Sequence, residues 1–153
     1  AETTRSAIGG GMRALMDYPD QLARLANADV PQFRLALEEI LRWTTPTIFK
    51  RRTATRDVDY KGHQIREGDK VTYWEMSANR DERVFSDPFR FDLARSPNLH
   101  LSFGFGTHVC LGASLARSSM WLGSRASPAS TGGFVLRQEK SPAEVGLRET
   151  GVP

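Results

Sequence analysis

Residues 103–117, FGFGTHVCLGASLAR, constrain the fold more than any other stretch of this chain. They set the single cysteine, Cys110, between a loop holding Gly104 and Gly106 and a run of good helix formers from Leu111. Glycine reaches backbone shapes and close approaches that a side chain forbids, so this segment predicts a shaped loop that feeds a helix. A helix start offers free N–H groups and the positive end of a dipole, both of which favour a sulfur anion. With one cysteine there is no internal disulfide. On residue type alone Cys110 remains open between a small buried hydrophobe, a nucleophile, a redox thiol and a metal ligand.

Neighbouring residues narrow this little. A Cys–His pair with His63 or His100 needs proximity that spacing does not supply. One cysteine and three scattered histidines lack the paired spacing of a zinc site. GFGTHV lacks the third glycine and the strand–helix frame of a dinucleotide fingerprint.

Upstream, the hydrophobic period predicts a mainly helical start. Thr3–Tyr18 reads as a helix with Ile8, Met12, Leu15 and Met16 on its apolar side, interrupted at Gly9-Gly10-Gly11. Those glycines weaken the helix or let a neighbour pack closely. Pro19 opens a short helix, and a stronger one follows, capped near Asp29 and Pro31, with Phe33, Leu37, Ile40 and Leu41 on one face. It must end before Pro46. From Phe49 the pattern turns to short extended pieces with turns at Lys61-Gly62 and Glu67-Gly68, predicting a small antiparallel sheet. The fold class is therefore mainly α with a small antiparallel β-sheet. ANRD and FSDPFRF read as turns. No internal repeat is visible.

At 153 residues the chain is the size of one domain, with composition that supports a core. Its formal charge of +3 is scattered, and Lys50-Arg51-Arg52 is too short a cluster to track phosphates, so nucleic acid is a poor partner. No apolar run spans a bilayer and no signal pattern opens the sequence, so the expected location is cytoplasmic.

Phe103-x-x-Gly106-x-His108-x-Cys110-x-Gly112, continued by Leu115-Ala116-Arg117, resembles at each fixed position the heme-binding signature of the cytochrome P450 family. Other segments resemble the family in its order. Glu39 and Arg42, in EEILRW, resemble the Glu-x-x-Arg pair, with Arg90 of DPFRF as the expected third partner. AETT at the start resembles the oxygen-binding helix, where an acid precedes an alcohol. Read without the resemblance, these are an ordinary i,i+3 ion pair, a loop arginine and a helix cap.

The resemblance implies the C-terminal part of a soluble bacterial-type member with heme as cofactor and Cys110 as the axial thiolate ligand to iron. It implies Glu2 and Thr3 as a proton relay. Arg52 and His100, with help from His108, would hold the propionates, and Phe103 and Gly104 would shape the cysteine loop. TPTIF would enter the substrate pocket, with Ile48 as a wall residue. Taken bottom-up, Arg52 is a solvated strand charge and His100 a loop histidine; His63 receives no role. The implied reaction is monooxygenation of a small hydrophobic substrate, a sterol or lipid chain, with electrons from a ferredoxin-type donor and its reductase.

The resemblance covers residues 1–117 as a partial domain. Residues 118–153, with Pro128, Pro142 and no sustained period, read as an atypical and poorly ordered tail, as a shifted reading frame or truncated gene would produce. The competing functional expectation is a non-catalytic remnant with weak or no heme binding. A heme-free thiol enzyme stands behind both.

Overall fold

The structure is a computed structural model that describes residues 2–125. Helix α1 (Glu2–Asp17) runs unbroken through the glycine run. The reason is packing: a Cβ on Gly10 would stand 2.8 Å from Thr44 Cγ2, and one on Gly11 2.6 Å from Ile40 Cγ2. Both contacts are with α3 (Val30–Thr44), so the glycines let two backbones approach where any side chain would force them apart. Between them α2 (Pro19–Ala26) starts at its proline, as the sequence predicts.

Helix α3 begins with a full capping box. Asp29 Oδ1 accepts from Gln32 N at 2.8 Å, and Gln32 Oε1 accepts from Asp29 N at 3.0 Å. It closes at Thr45, in the left-handed region at φ 38°, ahead of Pro46. Its apolar face, with Phe33, Leu37, Ile40 and Leu41, buries against Ala7, Ala14 and Leu15 of α1 and against Phe91, Leu93 and Met120. Tyr18, Trp43 and Phe91 pack their rings around this core with centroids 5.3 to 5.9 Å apart.

The extended region forms two separate antiparallel ribbons. Strand β1 (Phe49–Thr53) pairs with β4 (Lys70–Trp74), setting Lys50 opposite Tyr73 and Arg52 opposite Val71. Strands β2 (Val58–Tyr60) and β3 (His63–Ile65) form a hairpin closed at Lys61-Gly62, both at positive φ. A short helix α4 (Glu75–Ala78) follows β4 directly. Irregular chain then leads to a 3-10 turn (Gly106–His108) and to α5 (Ala113–Arg125). The helical pattern expected to fail after Arg117 instead continues through α5, where Met120 is buried in the core. The rest of the expected tail, 126–153, lies outside the described residues.

Candidate cofactor site

The cysteine loop takes its shape from the glycines that precede it. Gly104 and Gly106 stand at φ 74° and 70°, values open to glycine and strained for other residues. Gly104 N donates to Leu101 O at 2.7 Å, and Cys110 N donates back to Phe103 O at 2.8 Å, closing the loop on itself. Helix α5 starts at Ala113, slightly later than the sequence predicts. A Cβ on Gly112 would stand 4.0 Å from Cys110 Sγ, so the sulfur lies beside the turn that enters α5. Cys110 is a free, exposed thiol.

That thiol lines a cavity of about 890 Å³ between α1, the cysteine loop and α5. Thr3, Thr4, Ala7 and Ile8 form the α1 wall. Phe103, His108 and Cys110 come from the loop, and Leu115, Ala116 and Met120 from α5. Pro46, Thr47 and Lys50 close it from the segment after α3. A mostly apolar chamber with one thiol and the cations Arg5 and Lys50 suits a flat apolar cofactor that carries carboxylates.

Behind the loop, Glu38 holds two groups together. Arg117 of α5 donates to it through Nε at 2.6 Å and Nη2 at 2.8 Å, and His100 Nε2 lies 2.8 Å from Glu38 Oε2. Burial alone would raise the Glu38 pKa, but the hydrogen bonds from Arg117 and His100 outweigh it and hold the carboxyl at about 2. Arg117 is raised in turn, first by its hydrogen bonds to Glu38 and in smaller part by the Cys110 sulfur. Its guanidinium also lies 4.5 Å from the Phe103 ring centroid.

One residue along α3, Glu39 is fully buried in a second network. Arg42 grips it bidentately at 2.8 Å through both Nε and Nη2. The third partner is Arg95, whose Nε lies 3.1 and 3.3 Å from the two carboxylate oxygens. This corrects the expectation of Arg90, whose exposed side chain takes no part; only its carbonyl accepts, from Arg42 and Arg95. The two arginines also donate to the carbonyls of Asn79, Pro88, Ser86 and Asp87, which pins the irregular chain to α3.

The remaining expected site residues divide. Thr3, Phe103 and His108 face the cavity, whereas Glu2 is exposed and pairs with Arg5. Gly104 shapes the loop without lining the chamber. His100 is not positioned as a propionate donor: with Glu38 on one ring nitrogen and Ser102 N donating to the other at 3.2 Å, both are occupied. Arg52 is exposed, donates to Arg51 O at 3.0 Å and lies 5.9 Å from the Tyr73 ring centroid. Ile48 is about half exposed and outside the lining, while its neighbours Pro46 and Thr47 are within it. His63 sits on the exposed hairpin.

Four residues carry structural weight that the sequence reading passed over. They are Arg95, Glu38, Lys50 and Asn79. Asn79, inside a stretch read only as a turn, accepts from Leu101 N at 2.7 Å and donates to Thr45 and Ser102 hydroxyls at 3.0 Å. It fixes the chain just ahead of Phe103.

The family model described as Cytochrome P450 matches residues 1–123. The chain belongs to the cytochrome P450 family. It is 54% identical over 117 residues to cytochrome P450 126 of Mycobacterium tuberculosis, covering 76% of this chain and 28% of that one. It is 51% identical over 117 residues to a methyl-branched lipid omega-hydroxylase of the same species, with 76% and 27% covered. Among solved structures, a Mycobacterium marinum cytochrome P450 in complex with pseudoionone aligns with a TM-score of 0.80 at 41% identity, over 86% of this chain and 32% of that chain. The chain therefore spans less than a third of the length of these relatives.

Proposed function

We propose that this chain supplies the cysteine-bearing part of a heme-thiolate monooxygenase. One observation carries the reading: an unpaired thiol on a glycine-shaped loop faces a large, mostly apolar cavity. The residues fit heme. Cys110 would hold the iron, while His108, which lines the chamber, and Arg52, once turned from Tyr73, would receive the propionates. Heme held by a thiolate supplies the activation of dioxygen, because sulfur donation to iron favours O–O cleavage.

The protein's own part is positional. Arg117, held by Glu38, lies over the Phe103 ring, and Phe103 and Cys110 both line the chamber. Thr3 lines the chamber, where its hydroxyl would pass on a proton, with Glu2 as the source once it leaves Arg5. Ala7 and Ile8 of α1 with Leu115 and Met120 of α5 give the chamber its apolar wall. The reaction class is insertion of one oxygen atom of O2 into a hydrophobic substrate, a lipid chain or sterol, with a ferredoxin-type donor and its reductase as electron source. Similarity to a methyl-branched lipid omega-hydroxylase supports the lipid side of that choice. The described residues contain no helix long and apolar enough to cross a membrane, and a cytoplasmic site of action is part of the proposal.

The test is the absorption spectrum of the reconstituted, reduced chain under carbon monoxide. A red-shifted thiolate Soret band that disappears in Cys110→Ala supports the reading. A shorter-wavelength band alone, or no heme uptake, refutes it and favours a polypeptide without catalytic heme.

A further inference from the structure

We infer that Lys50 is a carboxylate receptor for the cofactor and that Glu75 positions it. The inference rests on the heme reading above. Glu75 is 1% exposed, yet only one of its carboxylate oxygens is satisfied, by Lys50 Nζ. The other, Oε2, is buried without a hydrogen-bond partner among the described residues. A buried carboxylate with a single partner is costly to keep. Its partner lysine, however, is not buried with it: the side chain is 28% exposed and lines the cavity that holds Cys110. Lys50 Nζ lies 3.6 Å from where a Cβ on Gly104 would stand, over the cysteine loop. Lysine has three N–H donors, and Glu75 uses one, so two remain for a ligand at that wall.

Strand geometry adds a second cation. Residues two apart on a strand share a face, so Lys50 and Arg52 project from the same side of β1. Tyr73, directly opposite Lys50, shares that face, and the Arg52 guanidinium already lies near its ring. The face thus carries two positive groups, one of them anchored at the chamber. A ligand with two carboxylates on an apolar body is what such a wall would take. Lys50 then bridges Glu75 and one propionate, while Arg52 is free to swing from Tyr73 to the other.

The experiment compares heme loss from the 153-residue chain and its variants, using a heme-scavenging apoglobin. Each protein is loaded with heme or with heme dimethyl ester, which lacks free carboxylates. Lys50→Met should speed loss of heme about ten-fold or more, the size of a lost charge-assisted hydrogen bond, and leave loss of the ester unchanged. Lys50→Arg should return the rate to within about three-fold of wild type, because it restores a cation. Equal acceleration for both ligands would make Lys50 a structural residue and overturn the inference. So would Lys50→Arg behaving as Lys50→Met, or no acceleration at all. A wild-type chain that takes up heme without the thiolate Soret band sinks the heme-thiolate reading instead, whatever the variants do.

Discussion

Replacing Arg95 with methionine should destabilise the chain, whereas replacing Arg90 with alanine should not. Arg95 is 9% exposed and donates to Glu39 and to the carbonyls of Ser86, Asp87 and Arg90. Its removal leaves a fully buried carboxylate short of one cation and takes a donor from three carbonyls, of which Asp87 O keeps Arg90 N and Arg90 O keeps Arg42. Breaking a buried charged pair costs about 3–5 kcal/mol. Arg42 still grips Glu39 bidentately, and Asp92 N and Asn98 Nδ2 still donate to it, each at 3.0 Å. The loss therefore belongs near the lower end, about 3 kcal/mol, and methionine retains the apolar stem. With a urea m-value of about 2 kcal/mol per molar, the midpoint followed by far-UV circular dichroism should fall by about 1.5 M at constant slope. Arg90→Ala should stay within about 0.5 kcal/mol, because that side chain is exposed and takes no part in the network. A shift below about 0.5 M for Arg95→Met, or equal shifts for the two variants, would refute the argument that Arg95 is the third partner.

The other perturbations test the helix contact, the acid response and the cap. Gly11→Ala would press a methyl to 2.6 Å of Ile40 and should cost about 1–3 kcal/mol, while Gly9→Ala, with open space around it, should gain up to about 1 kcal/mol; similar shifts in thermal midpoint for the two would contradict the packing account. Glu38 titrates near 2 in the fold against an ordinary 4.5, so its contribution is complete above about pH 4.5 and is lost as pH falls toward 2. Its side chain is 26% exposed, so the full linkage value of about 3 kcal/mol is discounted to roughly 1–2, of which about 60% is lost by pH 3; with an m-value of about 2 kcal/mol per molar, the gap between urea midpoints at pH 7 and 3 should shrink by about 0.3–0.6 M in Glu38→Gln relative to wild type. Asp29→Ala removes the α3 cap and should cost about 1 kcal/mol in the same assay; an unchanged midpoint would mean the cap is redundant.

How much was readable in advance depended on whether a signal was local. The α3 helix, its Asp29 start and its end before Pro46 follow from capping and period over a few residues, and the cysteine loop follows from its glycines. Gly10 and Gly11 left open a weak helix or a close neighbour, and nothing local named Thr44 and Ile40 as that neighbour. The third arginine failed for the same reason. Arg90 and Arg95 stand in one short irregular stretch with identical charge, and only the path of the chain turns one inward and the other to solvent. His100 and Arg52 have the right chemistry for carboxylates, but Glu38 engages one and Tyr73 holds the other near its ring. Lys50 read only as part of a short basic cluster with Arg51 and Arg52. Its buried partner Glu75 lies 25 residues away, a separation no local pattern can reveal.

The two adjacent acids of α3 show how that hidden part is organised. Consecutive helical residues point about 100° apart, so Glu38 and Glu39 must serve different neighbours. Glu39 faces inward and clamps the irregular chain of residues 79–98 through two arginines and the groups they hold. Glu38 faces the other way and joins His100, ahead of the cysteine loop, to Arg117, beyond it. The loop is thus tied at both ends to one helix, while its middle is left open to the cavity. Losing Glu39 should therefore loosen the whole chain, but losing Glu38 should free mainly the two ends of the loop. Hydrogen exchange separates the cases. In Glu38→Gln, protection should fall at the Cys110 and Gly104 amides, which close the loop, before it falls in the α3 core. Uniform loss across α3 would mean that both acids serve one cooperative unit, and the division of labour proposed for them would be wrong.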